Sequence, residues 1–145
     1  MKDWALILGA SSGIGAACAK ALAKEGINIY GLYLRKTQIE IEKITEELLS
    51  FGVKVVFKKA NASNELSRKK IIDELSSFKN IRIKMFIHSV AFGTLKPMIN
   101  NSDDILAKKN IEMTQEVMCN NLIYWTQELF KNNLLLTGSH ILSMT

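Results

Sequence analysis

Gly9, Gly13 and Gly15, with Ser11, Ser12 and Ile14 between them, follow directly on the apolar run Leu6-Ile7-Leu8. Residue types in that order suit the binding of an anion by backbone. Glycine adopts positive φ freely and lacks the Cβ that would hold a ligand off the chain. A helix opening just beyond the turn adds unpaired N–H groups and a partial positive charge. The stretch therefore predicts a pyrophosphate cradle and, with it, a dinucleotide cofactor.

A second cluster bears on which dinucleotide. Tyr33, Arg35 and Lys36 fall where a second strand should end, and no acidic residue occurs between Ile27 and Gln38. Folds that bind NAD usually place Asp or Glu there for the ribose hydroxyls. A cation in its place could pair with a 2′-phosphate, which favours NADP, with NAD second. The plain alternative is that Arg35 is a surface charge.

Other chemistry is thin. Cys18 and Cys119 are the only cysteines and His88 and His140 the only histidines, so no zinc constellation is expected and the thiols read as reduced and packed. The net charge is +5, from 19 basic and 14 acidic residues. Its basic groups, such as Lys58-Lys59, Arg68-Lys69-Lys70 and Lys108-Lys109, have no interleaved aromatics, and no nucleic-acid partner is expected. A mild positive field suits phosphorylated cofactors or an acidic carrier protein. Met1–Asp3 is too short and polar for a signal peptide and no run is long enough to span a membrane, so the expected location is the cytoplasm.

The elements that must position these residues alternate. The 145 residues suit one domain, with 48% hydrophobic and 23% charged residues. Strands are expected at Trp4–Leu8, Ile27–Leu34, Val53–Phe57, Ile83–Ile87 and His140–Met144. The Ala-rich stretch Ile14–Lys24 reads as a helix that packs closely on a sheet. Thr37 with Glu40 forms a capping-box pattern before a helix carrying Ile41, Ile44 and Leu48. Ser63 or Asn64 should cap another, through about Phe78, with Leu66, Ile71, Ile72 and Leu75 as its apolar positions. Ala91–Asn101 holds Gly93 and Pro97 and reads as a loop. A long helical region should follow from Asp103 to Lys131, broken near Asn110. Such alternation gives an α/β, doubly wound parallel sheet of Rossmann-like type, strand order 3-2-1-4-5, with its ligand site at the switch point.

The spacing Gly9-x-x-x-Gly13-x-Gly15 resembles the glycine motif of the short-chain dehydrogenase/reductase family, with Leu8 where that family usually has Thr. The resemblance runs the length of the chain and implies further roles. Asn61, followed by Ala62, stands where the family holds the adenine amino group; a residue capping the next helix is the competing reading. His88-Ser89-Val90 replaces the usual Asn-Asn-Ala and is similar to the His-Ser pair of the divergent enoyl-acyl-carrier-protein reductase branch, which implies that these residues line the adenosine and ribose side of the cofactor. The family's relay Asn aligns nearest Met118, with Asn120 and Asn121 close by. Leu122-Ile-Tyr-Trp125 is more apolar than one buried stripe needs, and the family often pairs subunits through this helix, which implies a homo-oligomer through 103–131.

The catalytic Tyr-x-x-x-Lys pair of the family has no counterpart here. None of Tyr30, Tyr33 and Tyr124 has Lys four residues on. The resemblance places that pair after Thr145, so the fold is expected to be C-terminally incomplete, with no catalytic residue and no turnover by 1–145 alone. The implied whole is an NADPH-dependent reductase of acyl thioesters, of the enoyl-acyl-carrier-protein type, with acyl carrier protein as a possible partner. A 3-oxoacyl or other carbonyl reductase is the alternative within the family. A non-catalytic dinucleotide-binding protein is the alternative outside it.

Overall fold

The computed structural model describes residues 2–144. In chain order it contains β1 (Lys2–Leu8), α1 (Gly13–Lys24), β2 (Asn28–Tyr33), α2 (Gln38–Leu49), β3 (Val55–Lys59), α3 (Glu65–Ser77), β4 (Ile81–His88), α4 (Lys108–Gln115), a π turn (Glu116–Asn120), α5 (Asn121–Lys131) and β5 (His140–Ser143). The five strands are parallel and lie in the order β3-β2-β1-β4-β5, as the alternation of elements predicts. The sheet is buried on both faces, so its central strands are apolar throughout. On β1, Trp4, Leu6 and Leu8 pack with Tyr30, Phe86, Ile72, Leu75, Trp125 and Leu129. Ala5 and Ile7 face the other way, onto Ile29, Ile87, Ala19, Ala23 and Leu48. The methyl side chains of Ala19 and Ala23 are fully buried, so α1 approaches the sheet closely.

Local chemistry sets the helix starts. Thr37 and Glu40 form the expected capping box, and the Glu40 carboxylate also takes Lys36 at 2.9 Å. That lysine first, and then the Thr37 amide and hydroxyl, hold the Glu40 carboxyl down to about 2. Asn64, rather than Ser63, caps α3 by accepting from the Ser67 amide at 2.9 Å. Ile71, Ile72 and Leu75 are buried as expected, but Leu66 is exposed, because it lies on the outer side of the first turn. At the end of the sheet remote from the glycine turn, Arg82 grips Asp3 with a two-pronged bond, 2.7 Å on each arm, beside the register shift at Trp4/Ala5.

The late helical region departs from expectation in two ways. Residues 103–107 are not helical, and Asn110 lies in the first turn of α4, where it braces the helix start instead of breaking the helix. Its carboxamide accepts from the Ala107 amide and donates to the Thr94 hydroxyl, both at 3.1 Å. Farther on, the π turn separates α4 from α5. Asn121, Trp125 and Leu129 form the buried stripe of α5, whereas Ile123 is half exposed and Phe130 71% exposed. The outer β5 strand is exposed along its length. Among the described residues, no helix is long and apolar enough to cross a membrane.

Candidate functional site

The site lies where β1 and β4 end side by side, the point at which the strand order reverses. Gly9 follows β1 with φ +83°, and a Cβ built there would sit 2.3 Å from the Ser89 carbonyl oxygen. A Cβ on Gly15 would sit 2.0 Å from the Gly9 carbonyl oxygen. These two glycines are required by the protein's own backbone. Gly13 differs. It has φ +54° and no atom within 4 Å of its Cβ position, so its open side faces outward.

The helix beyond the turn is left ready for an anion. Ser12 is the N-cap in extended conformation, yet its hydroxyl caps nothing, and the first turn of α1 carries no acidic residue. Ser12, Gly13 and Ile14 are exposed and Ser11 is half-buried. Unpaired N–H groups, a helix dipole and an open glycine face together fit the pyrophosphate of a dinucleotide.

Residues around the end of β2 divide the roles expected of them. The Tyr33 ring is buried edge-on to Phe57, with centroids 6.3 Å apart. It lines a cavity of about 310 Å³ against α2, shared with Gln38, Thr45 and Glu46. Lys36 is held by Glu40. Arg35 is exposed and forms no ion pair among the described residues, which leaves its guanidinium available to a phosphate.

Asn61 does not cap α3. Its side-chain oxygen instead accepts from the Ser63 amide at 3.0 Å and tightens the turn after β3. A carboxamide oxygen has a second lone pair, and Asn61 is exposed, so an adenine amino group remains within its capacity. Ala62 is buried, and its carbonyl accepts the indole N–H of Trp125 at 2.8 Å. Its methyl group belongs to the core, so only its backbone is left to border a cofactor.

Ser89 donates its amide to Leu8 and presents its carbonyl to Gly9, which fixes the floor of the crevice. Val90 packs partly against the core. His88 turns its side chain inward. Its ring is fully buried against Asn121. Period-two alternation puts its side chain on the face of Phe86, under α5. Burial pushes the ring's pKa down, against a smaller upward pull from the carbonyls of His88 and Val117.

Three residues make contacts that the sequence did not reveal. Trp125 anchors the turn after β3, Asn121 meets His88, and Met118 accepts the Phe92 amide through its sulfur at 3.2 Å. Asn121 carried a signal, as the polar member of an i, i+4, i+8 stripe with Trp125 and Leu129. Met118 occupies the place nearest the family's relay Asn, and a thioether has no exchangeable proton to pass on.

Two of the tyrosines are engaged elsewhere. Tyr30 is in the core, where burial first and the Glu74 carboxylate second raise its pKa. Tyr124 stacks under the Arg68 guanidinium at 5.3 Å. Among the described residues there is no cluster of metal-binding side chains. The arrangement can hold a dinucleotide by its phosphates and adenosine.

Comparison with known proteins agrees with this geometry. Residues 9–145 match the family model described as enoyl-(acyl carrier protein) reductase. A short-chain dehydrogenase/reductase from Serratia marcescens shares the fold with a TM-score of 0.76 at 22% identity, over 97% of this chain and 53% of that one. A 3-oxoacyl-[acyl-carrier protein] reductase from Brucella melitensis, solved with NAD, gives 0.73 at 21%, over 92% and 50%. A short-chain dehydrogenase from Sphingobium yanoikuyae, solved with NADPH, gives 0.68 at 20%, over 89% and 47%. The chain thus spans about half the length of the solved structures it matches.

Proposed function

The chain belongs to the short-chain dehydrogenase/reductase family, and from that premise we propose that it is the cofactor-holding part of an NADPH-dependent reductase of acyl thioesters. The enoyl-acyl-carrier-protein type is the reading favoured by the family match and by His88-Ser89. One observation carries the cofactor assignment. Gly9 and Gly15 are closed by backbone, while Gly13 and the uncapped start of α1 stay open to an anion. Bound nicotinamide would supply the hydride. The chain's own residues would supply its seat: α1 for the pyrophosphate, Arg35 for a 2′-phosphate and Asn61 for adenine.

Two free thiols, Cys18 and Cys119, favour a reducing compartment such as the cytoplasm. The alternative within the family, reduction of a 3-oxoacyl thioester, draws support from the Brucella neighbour. Both readings need a proton donor from outside residues 1–145.

The test is a pair of measurements on the 145-residue chain. NADPH should bind, seen by calorimetry, while crotonyl and acetoacetyl thioesters should cause no oxidation of it. Absence of binding to either NADPH or NADH would remove the assignment. Measurable turnover would show that the chain carries its own proton donor.

Cofactor choice is tested separately. Loss of a charge-assisted bond costs about 1.5–3 kcal/mol, so Arg35→Ala should weaken NADPH binding by roughly 10- to 100-fold. NADH binding should change less than about twofold, because NADH lacks the phosphate that Arg35 would meet. Equal losses for both cofactors would refute the role of Arg35.

A further inference from the structure

His88 and Asn121 meet in the interior, Nε2 to the carboxamide nitrogen at 3.3 Å, with His88 fully buried and Asn121 1% exposed. A neutral imidazole has one donor nitrogen and one acceptor. With the Asn121 amide donating, Nε2 is the acceptor and the proton sits on Nδ1. That Nδ1 and the Asn121 side-chain oxygen have no hydrogen-bond partner. The carbonyls of His88 and of Val117, the latter inside the π turn, act on the ring. Buried polar groups left short of partners are costly, and an apolar pair of similar size would avoid that cost.

The place of the pair gives it a use. Asn121 opens α5 and directly follows the π turn. A π turn is one residue wider than an α turn, so it rotates the preceding helix by about 100° relative to an unbroken one. Within that turn, the Met118 sulfur takes the amide of Phe92, four residues after His88. The contacts close a ring, from the end of β4 through His88 to Asn121, through the π turn to Met118, and back to Phe92.

We propose that His88 and Asn121 are positioning residues whose buried contact holds the helix in its π-turn register, seating Met118 under Phe92 and fixing how 89–107 leaves the crevice. Both side chains are buried, and both act through the turn and the Met118 sulfur. The consequence for the crevice rests on the proposed cofactor site, whereas the register itself does not.

Amide hydrogen exchange, read residue by residue by NMR on the 145-residue chain, tests the register without cofactor. In His88→Leu and in Asn121→Leu, the amides of Phe92 and of residues 116–120 should exchange at least about tenfold faster, while β1 and α1 keep their protection. His88→Asn, which retains a donor and an acceptor, should restore most of it. Unchanged protection of Phe92 in both Leu variants overturns the proposal. If a Leu variant unfolds, β1 loses protection as well, and His88→Asn with Asn121→Ser decide instead. Faster exchange confined to Phe92 and 116–120 in Asn121→Ser supports the proposal, and wild-type exchange there overturns it. A second arm separates this claim from the cofactor assignment. NADPH should bind more weakly to the folded Leu variant, and adenosine 2′,5′-bisphosphate equally well. Failure of the wild-type chain to bind either would sink the cofactor site and leave the exchange result standing.

Discussion

Gly15→Ala should cost about 3 kcal/mol of folding stability or more, the upper end for overpacking a rigid site, and should abolish dinucleotide binding. The new methyl would meet the Gly9 carbonyl oxygen at 2.0 Å and its carbon at 2.9 Å. Both are backbone atoms, and Gly9 is itself pinned by the hydrogen bond its amide donates to the Leu32 carbonyl. No side chain can swing away, so α1 must move or the turn must open. Gly13→Ala is the control. It meets no neighbour and bears only the cost of positive φ, about 1–2 kcal/mol. Its methyl, however, would stand on the outward side where the phosphates approach. The two variants should therefore separate, one losing the fold and the other mainly losing affinity. Denaturant unfolding paired with NADPH titration measures both, and a Gly15→Ala chain of wild-type stability and affinity would contradict the packing described above.

Trp125→Ala should produce the second large loss. The indole is fully buried, 6.4 Å from the Phe86 ring, and donates to the Ala62 carbonyl. Truncating a buried Trp to Ala costs about 3–5 kcal/mol, a large share of a typical domain's 5–15 kcal/mol. Trp125→Phe keeps most of the volume and removes the donor, leaving a buried carbonyl unpaired at about 1–3 kcal/mol. Because that carbonyl belongs to the turn holding Asn61, the Phe variant should also weaken adenosine binding. Circular dichroism during urea unfolding measures the first effect, and titration with NADPH the second. An Ala variant within about 1 kcal/mol of wild type would show that Trp125 is not the anchor.

What the sequence made legible follows from short-range physics. Strand order and the glycine cradle could be read because apolar runs, Ala-rich turns and cap residues act over a few positions. The spacing of Gly9, Gly13 and Gly15 pointed to a ligand class, but not that backbone closes over two of them and leaves Gly13 open. That division depends on Ser89, 80 residues away from Gly9. The burial of His88 was hidden for the same reason: the partner of this last β4 residue opens a helix 33 residues later. Asn110 looked like a helix breaker, whereas its partners at Ala107 and Thr94 make it a brace for the first turn of α4. The π turn left no trace in residue type, since Glu116–Asn120 differs little from ordinary helix.

The position of β1 in the middle of the sheet also has a consequence in time. Its partner on one side, β2, is finished at Tyr33, but the partner on the other side, β4, ends only at His88. A chain made at about 5–20 residues per second needs roughly 3–11 seconds to cover that interval. Throughout it, Lys2–Leu8 presents a bare edge of hydrogen-bonding groups in a strand that is apolar on both faces. The nascent chain is most vulnerable to false pairing at the strand that later becomes its best protected.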